Sequence, residues 1–286
     1  MGIKKVAILG AGAVGSYVIE GISGCREIRL GVIAEGERNA RLKSAGCTIN
    51  GVTYHPEVWT YQETDNIDLL IVSLKYGALQ TALDTIKQAT SQNTIVMSLM
   101  NGVDSEEIIG AKIGMSHILP ALIKVASHKE PDGYHFDRKS TIGIIFGEYK
   151  PPFQSERVKA VCDLFEKSDI SYRATDYIRE EIWSKFRLNV CNNLPQAILG
   201  AGYRDSVHMK AISEGLRSEI EAIAAAKGIE FSKIESSAKV SPVKPSARYS
   251  TLQDLDSKRH TEIDMFSGAL MRMGKELGIP TPYNEY

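Results

Sequence analysis

The sequence has 286 residues, of which 43% are hydrophobic and 24% are charged, a balance typical of a soluble globular protein large enough for two ordinary domains. Its formal net charge of −1 argues against the basic surface that favours binding to nucleic acids or acidic membranes, so neither is expected as a partner. No apolar run approaches the roughly 20 residues that a membrane-spanning helix needs.

The first half of the chain alternates between predicted strands and helices. Short apolar runs rich in β-branched residues predict the strands, and apolar positions three and four apart predict the helices. This alternation predicts a parallel sheet with helices on both faces. In chain order we expect a strand at 4–9, a helix at 14–22, strands at 28–34 and 68–75, a helix at 78–89, a strand at 94–100, extended segments with a turn at 131–133 between residues 118 and 148, and a strand at 141–146.

The second half is predominantly helical. Gly228 and Gly278 stand where a helix end favours a residue free to adopt positive φ. A boundary near residues 168–174 divides the chain into a doubly wound α/β domain at 1–170 and an all-helical substrate-binding domain at 171–286. The predicted helices span residues 155–167, 176–199, 206–227 and 258–277, with a proline- and serine-rich loop at 236–246.

The segment after the first predicted strand has the spacing Gly-x-Gly-x-x-Gly and opens a predicted helix. In a Rossmann-type domain the first glycine makes the tight turn, the second lets the backbone approach a pyrophosphate, and the third lets the helix pack on the strand. The alternative is a glycine-rich turn that binds no ligand. The predicted cofactor-binding residues of this turn are Gly10, Ala11, Gly12, Ala13, Val14 and Gly15.

Three further residues lie at the C-terminal ends of predicted strands, where ligands lie in open α/β sheets. Glu35 stands about 20 residues after the glycine turn, as expected for the acid that binds the adenosine ribose. A carboxylate there repels a 2′-phosphate and favours NADH over NADPH, although Arg38 can offset that repulsion; a solvated charge is the alternative. Lys75 and Asn101 are candidates for the cofactor site, and the alternatives are a surface lysine and a plain Asn-Gly turn.

Lys185, Asn189 and Asn193 are spaced four residues apart in the predicted helix at 176–199, so they share one face. Asparagine is a mediocre helix former, and two asparagines beside a lysine indicate either a solvated face or a cationic acid with amide groups facing a polar substrate.

Taken together, these motifs resemble the ketopantoate reductase (2-dehydropantoate 2-reductase) family over nearly the whole chain. The block at 249–264 is the most specific, because several of its residues match the family at fixed spacing. The residues that carry the resemblance are 10–15 (GAGAVG), 72–75 (VSLK), 100–107 (MNGVDSEE), 182–193 (IWSKFRLNVCNN) and 249–264 (YSTLQDLDSKRHTEID).

The resemblance implies NAD(P)H-dependent reduction of 2-dehydropantoate to (R)-pantoate in the biosynthesis of pantothenate and coenzyme A, in a cleft between the domains. It makes Lys185 the general acid and Glu262 the group that positions the substrate hydroxyl and supports the lysine. Asn101, Asn189, Asn193 and Ser250 would bind the substrate, with Asn101 also in the cofactor site. Ser250 can equally start a helix, since Gln253 follows at capping-box spacing, and Glu262 can simply adjoin an apolar helix stripe at Ile263, Phe266, Leu270 and Met273.

Two features depart from the family pattern. Relatives often carry an arginine where this chain has Glu35, in keeping with their usual preference for NADPH, so this chain is expected to favour NADH. Relatives also commonly continue with a further helix, so a shortened C-terminus is expected. The alternatives to the implied reaction are reduction of another small 2-oxo acid and a dinucleotide-binding sensor without turnover.

The cysteines and histidines indicate no metal site. The four cysteines are scattered without a Cys-x-x-Cys pair, and the six histidines lack ligand spacing, as in a cytoplasmic protein with reduced thiols. The apolar N-terminal stretch is interrupted by glycines and lacks a cleavage site, so no signal peptide is predicted. A homodimer is compatible with the sequence, although no interface signal indicates one.

Overall fold

The computed structural model describes residues 2–234 and 244–286, which form two compact units. The first unit contains the chain up to Met100 together with Ser105–Ile178, and the second contains Asn101–Asp104 and Arg179–Tyr286. The division thus falls at 178/179 rather than at 170/171. Of the loop predicted at 236–246, residues 236–243 lie outside the described part of the chain.

The first unit combines short strands with five helices among its described residues. Its strands are β1 (Lys5–Leu9), β2 (Arg29–Ile33), β3 (Cys47–Ile49), β4 (Val52–Tyr54), β5 (Glu57–Trp59), β6 (Leu69–Val72), β7 (Ile95–Ser98), β8 (Ala121–Lys124), β9 (Ser127–Glu130), β10 (Gly133–Phe136), β11 (Gly143–Phe146) and β12 (Tyr172–Ala174). Its helices are α1 (Ala13–Ser23), α2 (Gly36–Ala45), α3 (Leu79–Gln88), α4 (Ser105–Ile113) and α5 (Glu156–Glu166).

The central sheet has the strand order β5-β2-β1-β6-β7, and each neighbouring pair is parallel. Successive side chains of a strand point to opposite faces. In β1, Val6 and Ile8 join the core that also contains residues of α1 and α5, whereas Ala7 and Leu9 join a second core with residues of α3 and α4. Both faces are therefore buried, which confirms the predicted parallel sheet with helices on either side.

Two smaller sheets complete the first unit. One has the order β4-β3-β10-β9, and the other has the order β12-β11-β8. β12 pairs with β11 in parallel, which places the predicted boundary segment inside the first unit. The sequence did not predict β3, β4, β5, α2 or α4. The three strands have only three residues each, which is too short to show an alternating pattern. Helix α2 buries only Asn39 and Leu42, so it shows no periodic apolar pattern either.

The second unit is helical, as predicted, but two of its helices differ from the expected ones. The helix expected at 206–227 begins only at Lys210, because the chain before it forms the separate short helix α7, which ends at Ser206. The helix expected from 258 begins only at Asp264, with a π-helical turn ahead of α10, and Lys258 has a φ of 51°. The helices are α6 (Ile178–Leu199), α7 (Tyr203–Ser206), α8 (Lys210–Ala226), α9 (Ser250–Asp256), α10 (Ala269–Leu277) and α11 (Pro282–Glu285).

Both predicted helix-ending glycines adopt the left-handed region. Gly228 follows α8 with a φ of 73°, and Gly278 follows α10 with a φ of 68°. This conformation costs glycine little because it has no Cβ. None of the helices in the described part of the chain has the combination of length and hydropathy that a membrane span requires.

A partly buried ion pair ties the end of β11 to the start of α5. Arg157 donates to both carboxylate oxygens of Glu148, at 2.6 and 2.5 Å. Ser155, the N-cap of α5, donates to the same carboxylate at 2.6 Å and accepts from the backbone of Val158. Burial raises the pKa of Glu148, but the hydrogen bonds from Arg157 and Ser155 outweigh it, so the pKa lies below its ordinary value of 4.5.

We expect Glu148→Gln to lower the free energy of unfolding by about 2 kcal/mol at pH 7, because a partly buried guanidinium loses its charged partner. A depressed carboxyl pKa gives stability that is present at neutral pH and lost as the pH falls below 4.5. Urea unfolding at pH 7 and at lower pH should show that the difference in free energy of unfolding between the wild type and Glu148→Gln becomes smaller on acidification. The exposed Glu156→Gln serves as the control, and an equal loss in both variants would contradict the assignment.

Candidate functional site

The glycine turn after β1 has two positions that no side chain can occupy without a shift. Gly10 has a φ of 110°, and a Cβ there would lie 2.6 Å from the carbonyl oxygen of Ser73. The Ser73 hydroxyl donates to the Gly10 carbonyl at 2.6 Å. A Cβ on Gly15 would collide with that same carbonyl oxygen of Gly10. These contacts join the turn to the end of β6 and bring α1 close to β1.

Gly12 differs from Gly10 and Gly15 because nothing lies within 4 Å of where its Cβ would be. It is the N-cap of α1, and neither a side-chain cap nor an acidic residue occupies the first turn of that helix. The first N–H groups of a helix lack intrahelical partners, and the helix dipole makes this end attractive to anions. Open space beside an uncapped helix N-terminus fits the pyrophosphate of a dinucleotide.

Glu35 is held in place by a backbone amide from a neighbouring loop. It follows β2, and its carboxylate accepts from the N–H of Tyr61 at 2.6 Å. It is also the N-cap residue of α2, with extended backbone angles and no side-chain capping bond. One turn further on, Glu37, Arg38 and Arg41 line a surface depression. A fixed carboxylate and two guanidinium groups are therefore close together in the chain beyond the end of β2.

Lys75 lies three residues beyond β6 rather than at the end of the strand as expected. It is exposed and precedes a 3-10 turn at Tyr76–Ala78, where the N–H of Ala78 donates to its carbonyl at 2.9 Å. Gly10, Glu35 and Lys75 thus follow β1, β2 and β6. Because these strands are parallel, their carboxyl ends lie at one edge of the sheet, where ligands bind in open α/β folds.

Lys185 of α6 and Asn101 are in direct contact within the second unit. The half-buried Lys185 donates from Nζ to Oδ1 of Asn101 at 2.7 Å, across 84 residues of sequence. An ammonium has three N–H donors and no acceptor, so this contact directs the group without neutralising its charge. The structure therefore brings together two of the residues that the sequence singled out separately.

Contacts at Gly102 and at Asp104 hold the four-residue segment Asn101–Asp104 in place. Gly102 has a φ of 100°, and a Cβ there would lie 2.8 Å from Cγ of the buried Met265. Asp104 accepts from Arg272 of α10 at 3.2 Å. The Asn-Gly pair thus lies in a bend of the backbone, and this bend presents Asn101 to Lys185.

Asn193 is a hydrogen-bonding junction rather than an open side chain. It is only 4% exposed, and its Oδ1 accepts from the Ser250 hydroxyl and from the Thr251 N–H, both at 3.1 Å. Its Nδ2 donates to the carbonyl of Asn189 at 2.9 Å. The amide therefore connects α6 to the start of α9.

Ser250 is the first residue of α9, and Tyr249 is the N-cap. Ser250 therefore does start a helix, as the alternative proposed, but without a capping box, because the Ser250 hydroxyl donates to Asn193 instead. Burial raises the pKa of the neighbouring Tyr249, so its phenol stays protonated at neutral pH. Ser250 itself is exposed.

The sequence patterns did not single out Gln196, which lies one turn beyond Asn193. It is completely buried, and its carboxamide bonds to the backbone of both Ala247 and Tyr249. The only signal in the sequence was its position three residues from Asn193, on the same helix face. Pro195 between them cannot donate to the Cys191 carbonyl, which accepts from the hydroxyl of Ser213 at 3.2 Å instead.

Glu262 is half-buried and lies two residues before the π-helical turn Asp264–Gly268. Its backbone carbonyl accepts from Met265 at 3.0 Å and from Phe266 at 3.3 Å. Of the apolar stripe expected beside it, Phe266, Leu270 and Met273 are buried, whereas Ile263 is 41% exposed. Single π-helical turns frequently occur at functional sites, which keeps Glu262 a candidate.

One group of possible metal ligands occurs in the described residues, on the hairpin of β9 and β10. Glu130, Asp132 and His135 each offer a ligand atom within 4.8 Å of the others, and the two acids are exposed. His135 Nε2 lies 2.9 Å from Asp132 Oδ1, and this contact lowers the pKa of Asp132. Paired exposed groups of this kind are common without an ion, and none of the three is among the predicted site residues.

Comparison with known proteins gives a consistent result along the chain. Residues 6–150 match the family model "Ketopantoate reductase PanE/ApbA", and residues 177–286 match its C-terminal counterpart. A curated 2-dehydropantoate 2-reductase from Archaeoglobus fulgidus is 26% identical over 99% of this chain and 95% of its own length.

Two solved structures resemble the protein over 98% of this chain and 95% of their own. A PanE/ApbA family ketopantoate reductase from Ralstonia eutropha has a TM-score of 0.79 at 24% identity. D-mandelate dehydrogenase in a ternary structure with NADH and anilino(oxo)acetate has a TM-score of 0.82 at 23% identity. At these identities the two structures establish the doubly wound fold with its helical C-terminal part.

Gly12→Ala is expected to fold but to bind dinucleotide at least about 10-fold more weakly, because its methyl group enters the space suited to the pyrophosphate. Gly12 has a φ of −89°, which alanine adopts without strain. Fluorescence titration with NADH and thermal unfolding measure the two effects. Gly24→Ala, at the other end of α1 and also in open space, is the control; equal affinity in both variants would rule out this role for Gly12.

Proposed function

The chain belongs to the ketopantoate reductase family of NAD(P)-dependent oxidoreductases, and we propose that it reduces 2-dehydropantoate to (R)-pantoate, a step toward pantothenate and coenzyme A. The observation that carries this proposal is the contact between Lys185 Nζ and Asn101 Oδ1. This contact gives the ammonium group of the half-buried Lys185 on α6 a fixed direction. The curated relative from Archaeoglobus fulgidus supports the choice of substrate.

In the proposed reaction Lys185 protonates the substrate carbonyl oxygen. A reduced nicotinamide cofactor, when bound, would supply the hydride that the carbonyl carbon accepts and would itself be oxidised. As the carbonyl double bond breaks, negative charge develops on the oxygen, and the Lys185 ammonium first stabilises that charge and then transfers a proton to it. Asn101 accepts one N–H of the ammonium and so holds the remaining donors in position.

The substrate contacts of the proposal involve Ser250, Asn189, Asn193 and Glu262. The exposed Ser250 hydroxyl is proposed to turn its one proton from Asn193 to the carboxylate of the oxo acid when the substrate binds, with Asn189 as a further hydrogen-bonding group. Asn193 contributes by holding Ser250 in place until the substrate binds, since its Oδ1 accepts from that hydroxyl. Glu262 is proposed to position the hydroxyl group of the substrate and to support Lys185.

We propose that the cofactor is NADH, bound by the turn from Gly10 to Gly15 together with Glu35, Lys75 and Asn101. The hydrogen bond from Tyr61 keeps the Glu35 carboxylate beyond the end of β2. A carboxylate in the position that binds the adenosine ribose repels a 2′-phosphate. Arg38, one turn along α2, is the group that can reduce this discrimination.

A cytoplasmic location is also part of the proposal. Cys25, Cys47, Cys162 and Cys191 are all free thiols in the structure. Burial raises the pKa of Cys47 and Cys191, which keeps these two thiols protonated and unreactive at neutral pH. Thiols of this kind suit a reducing compartment.

Reduction of another small 2-oxo acid is the second candidate. Lys185 and Asn101 would serve the carbonyl group of any 2-oxo acid, so their contact does not select 2-dehydropantoate. A sensor that binds a dinucleotide without turnover is a weaker alternative, because it has no need of an ammonium directed by an asparagine.

Turnover by the purified protein tests the proposed reaction. NADH oxidation is expected to be fast with 2-dehydropantoate and slower with other 2-oxo acids, including the 2-oxo acid that forms when mandelate is oxidised. Lys185→Ala should lower kcat by at least about 100-fold because the proton donor is lost. Lys210→Ala, at an exposed lysine of α8, is the control. Dinucleotide binding without turnover of 2-dehydropantoate would refute the substrate assignment.

Glu35→Gln is expected to shift cofactor preference toward NADPH by about 10-fold in the ratio of kcat/KM values, because it removes one negative charge near the 2′ position. The glutamine oxygen can still accept from Tyr61, so the local fold is retained. Parallel assays with NADH and NADPH measure the ratio. Glu27→Gln, an exposed acid before the opposite end of β2, is the control. An unchanged ratio in Glu35→Gln would contradict this role.

A further inference from the structure

The carboxamide of Gln196 pairs with the backbone of the segment that leads into α9. Its Nε2 donates to the Ala247 carbonyl at 3.2 Å, and its Oε1 accepts from the Tyr249 N–H at 2.8 Å. Tyr249 has extended backbone angles. In extended backbone a carbonyl and the N–H two residues later point the same way, so one side-chain amide can bind both as a neighbouring strand would.

Gln196 is completely buried, so these two hydrogen bonds matter to the fold of this segment. A buried amide without partners costs about 1–3 kcal/mol, and a backbone N–H left without its acceptor costs a similar amount. Gln196 and the segment are therefore mutually dependent: each satisfies polar groups that the other buries.

Asn193, one turn earlier on α6, continues the same attachment. Its Oδ1 accepts from the Ser250 hydroxyl and the Thr251 N–H, directly after the residues held by Gln196. Two amides on one helix face thus fix the chain from Ala247 to Thr251. The position of the Ser250 hydroxyl depends on both of them.

The segment has a second attachment that does not involve Gln196. The N–H of Tyr203 donates to the Ala247 carbonyl, and the N–H of Arg204 donates to the Pro245 carbonyl, both at 2.9 Å. Loss of the Gln196 amide would therefore leave the segment attached at its beginning while releasing the Tyr249 N–H next to Ser250.

We propose that Gln196 is a positioning residue for the substrate-binding group Ser250, and that it controls the KM for the oxo acid without taking part in proton transfer. This inference rests on the proposed role of Ser250 in the proposed function. Lys185, the proposed proton donor, lies eleven positions earlier on α6 and is held by Asn101 instead. The effects on KM and on kcat should therefore separate.

Gln196→Met keeps the length and approximate volume of the side chain and removes both hydrogen bonds. We expect KM for 2-dehydropantoate to rise at least about 10-fold, with kcat and the KM for NADH changed less than about 3-fold. In a Ser250→Ala background the same substitution should raise KM no further, because the group it positions is already absent. Gln88→Met is the control, since Gln88 is an exposed glutamine of α3, away from the segment that leads into α9.

Two results would overturn the inference while leaving the proposed function intact. One is an unchanged KM in Gln196→Met when Ser250→Ala raises it; the other is an equal further rise in the Ser250→Ala background. If the wild type turns over no 2-oxo acid, the proposed function fails instead. A crystal structure of substrate-free Gln196→Met then decides independently: the inference requires the Ser250 hydroxyl to leave the Asn193 amide, and an unmoved hydroxyl contradicts it.

Discussion

The hydrogen bond between Lys185 Nζ and Asn101 Oδ1 is the interaction on which the proposed chemistry depends. A lysine side chain has four flexible carbons, so its ammonium has no defined position unless another group directs it. Asn101 supplies that direction from a turn that is itself held, through Gly102 against Met265 and through Asp104 by Arg272. A proton donor must lie within hydrogen-bonding reach of the reacting oxygen, and this chain of contacts is what fixes the donor.

Helix α6 carries the proposed proton donor and also supports the start of α9. Lys185 lies toward its beginning, while Asn193 and Gln196, two and three turns later, bind the backbone and hydroxyl groups that start α9. Both amides are buried and their hydrogen bonds are made, which suits a rigid support better than a flexible one. The same polar face therefore positions the proposed acid directly and the proposed carboxylate-binding serine through a second layer of contacts.

Local rules explain which features could be predicted from the sequence. The turn at Gly10–Gly15 and the helix ends at Gly228 and Gly278 follow from backbone conformations that only a few adjacent residues determine. The late start of the last long helix was not predictable, because apolar periodicity continues through a segment where Lys258 adopts a φ of 51°. Gln196 was missed because its partners lie 51 and 53 residues away, and periodicity carries no information about contacts at that separation.

The most direct test of the account is a double-mutant cycle between Lys185 and Asn101, read as kcat/KM for reduction of the 2-oxo acid. If Asn101 acts by directing the Lys185 ammonium, Asn101→Ala should lower kcat/KM by about 10-fold or more in the wild type and have little further effect in Lys185→Ala. Independent losses that multiply in the double variant would contradict the account, because the hydrogen bond between the two side chains would then have no part in the reaction.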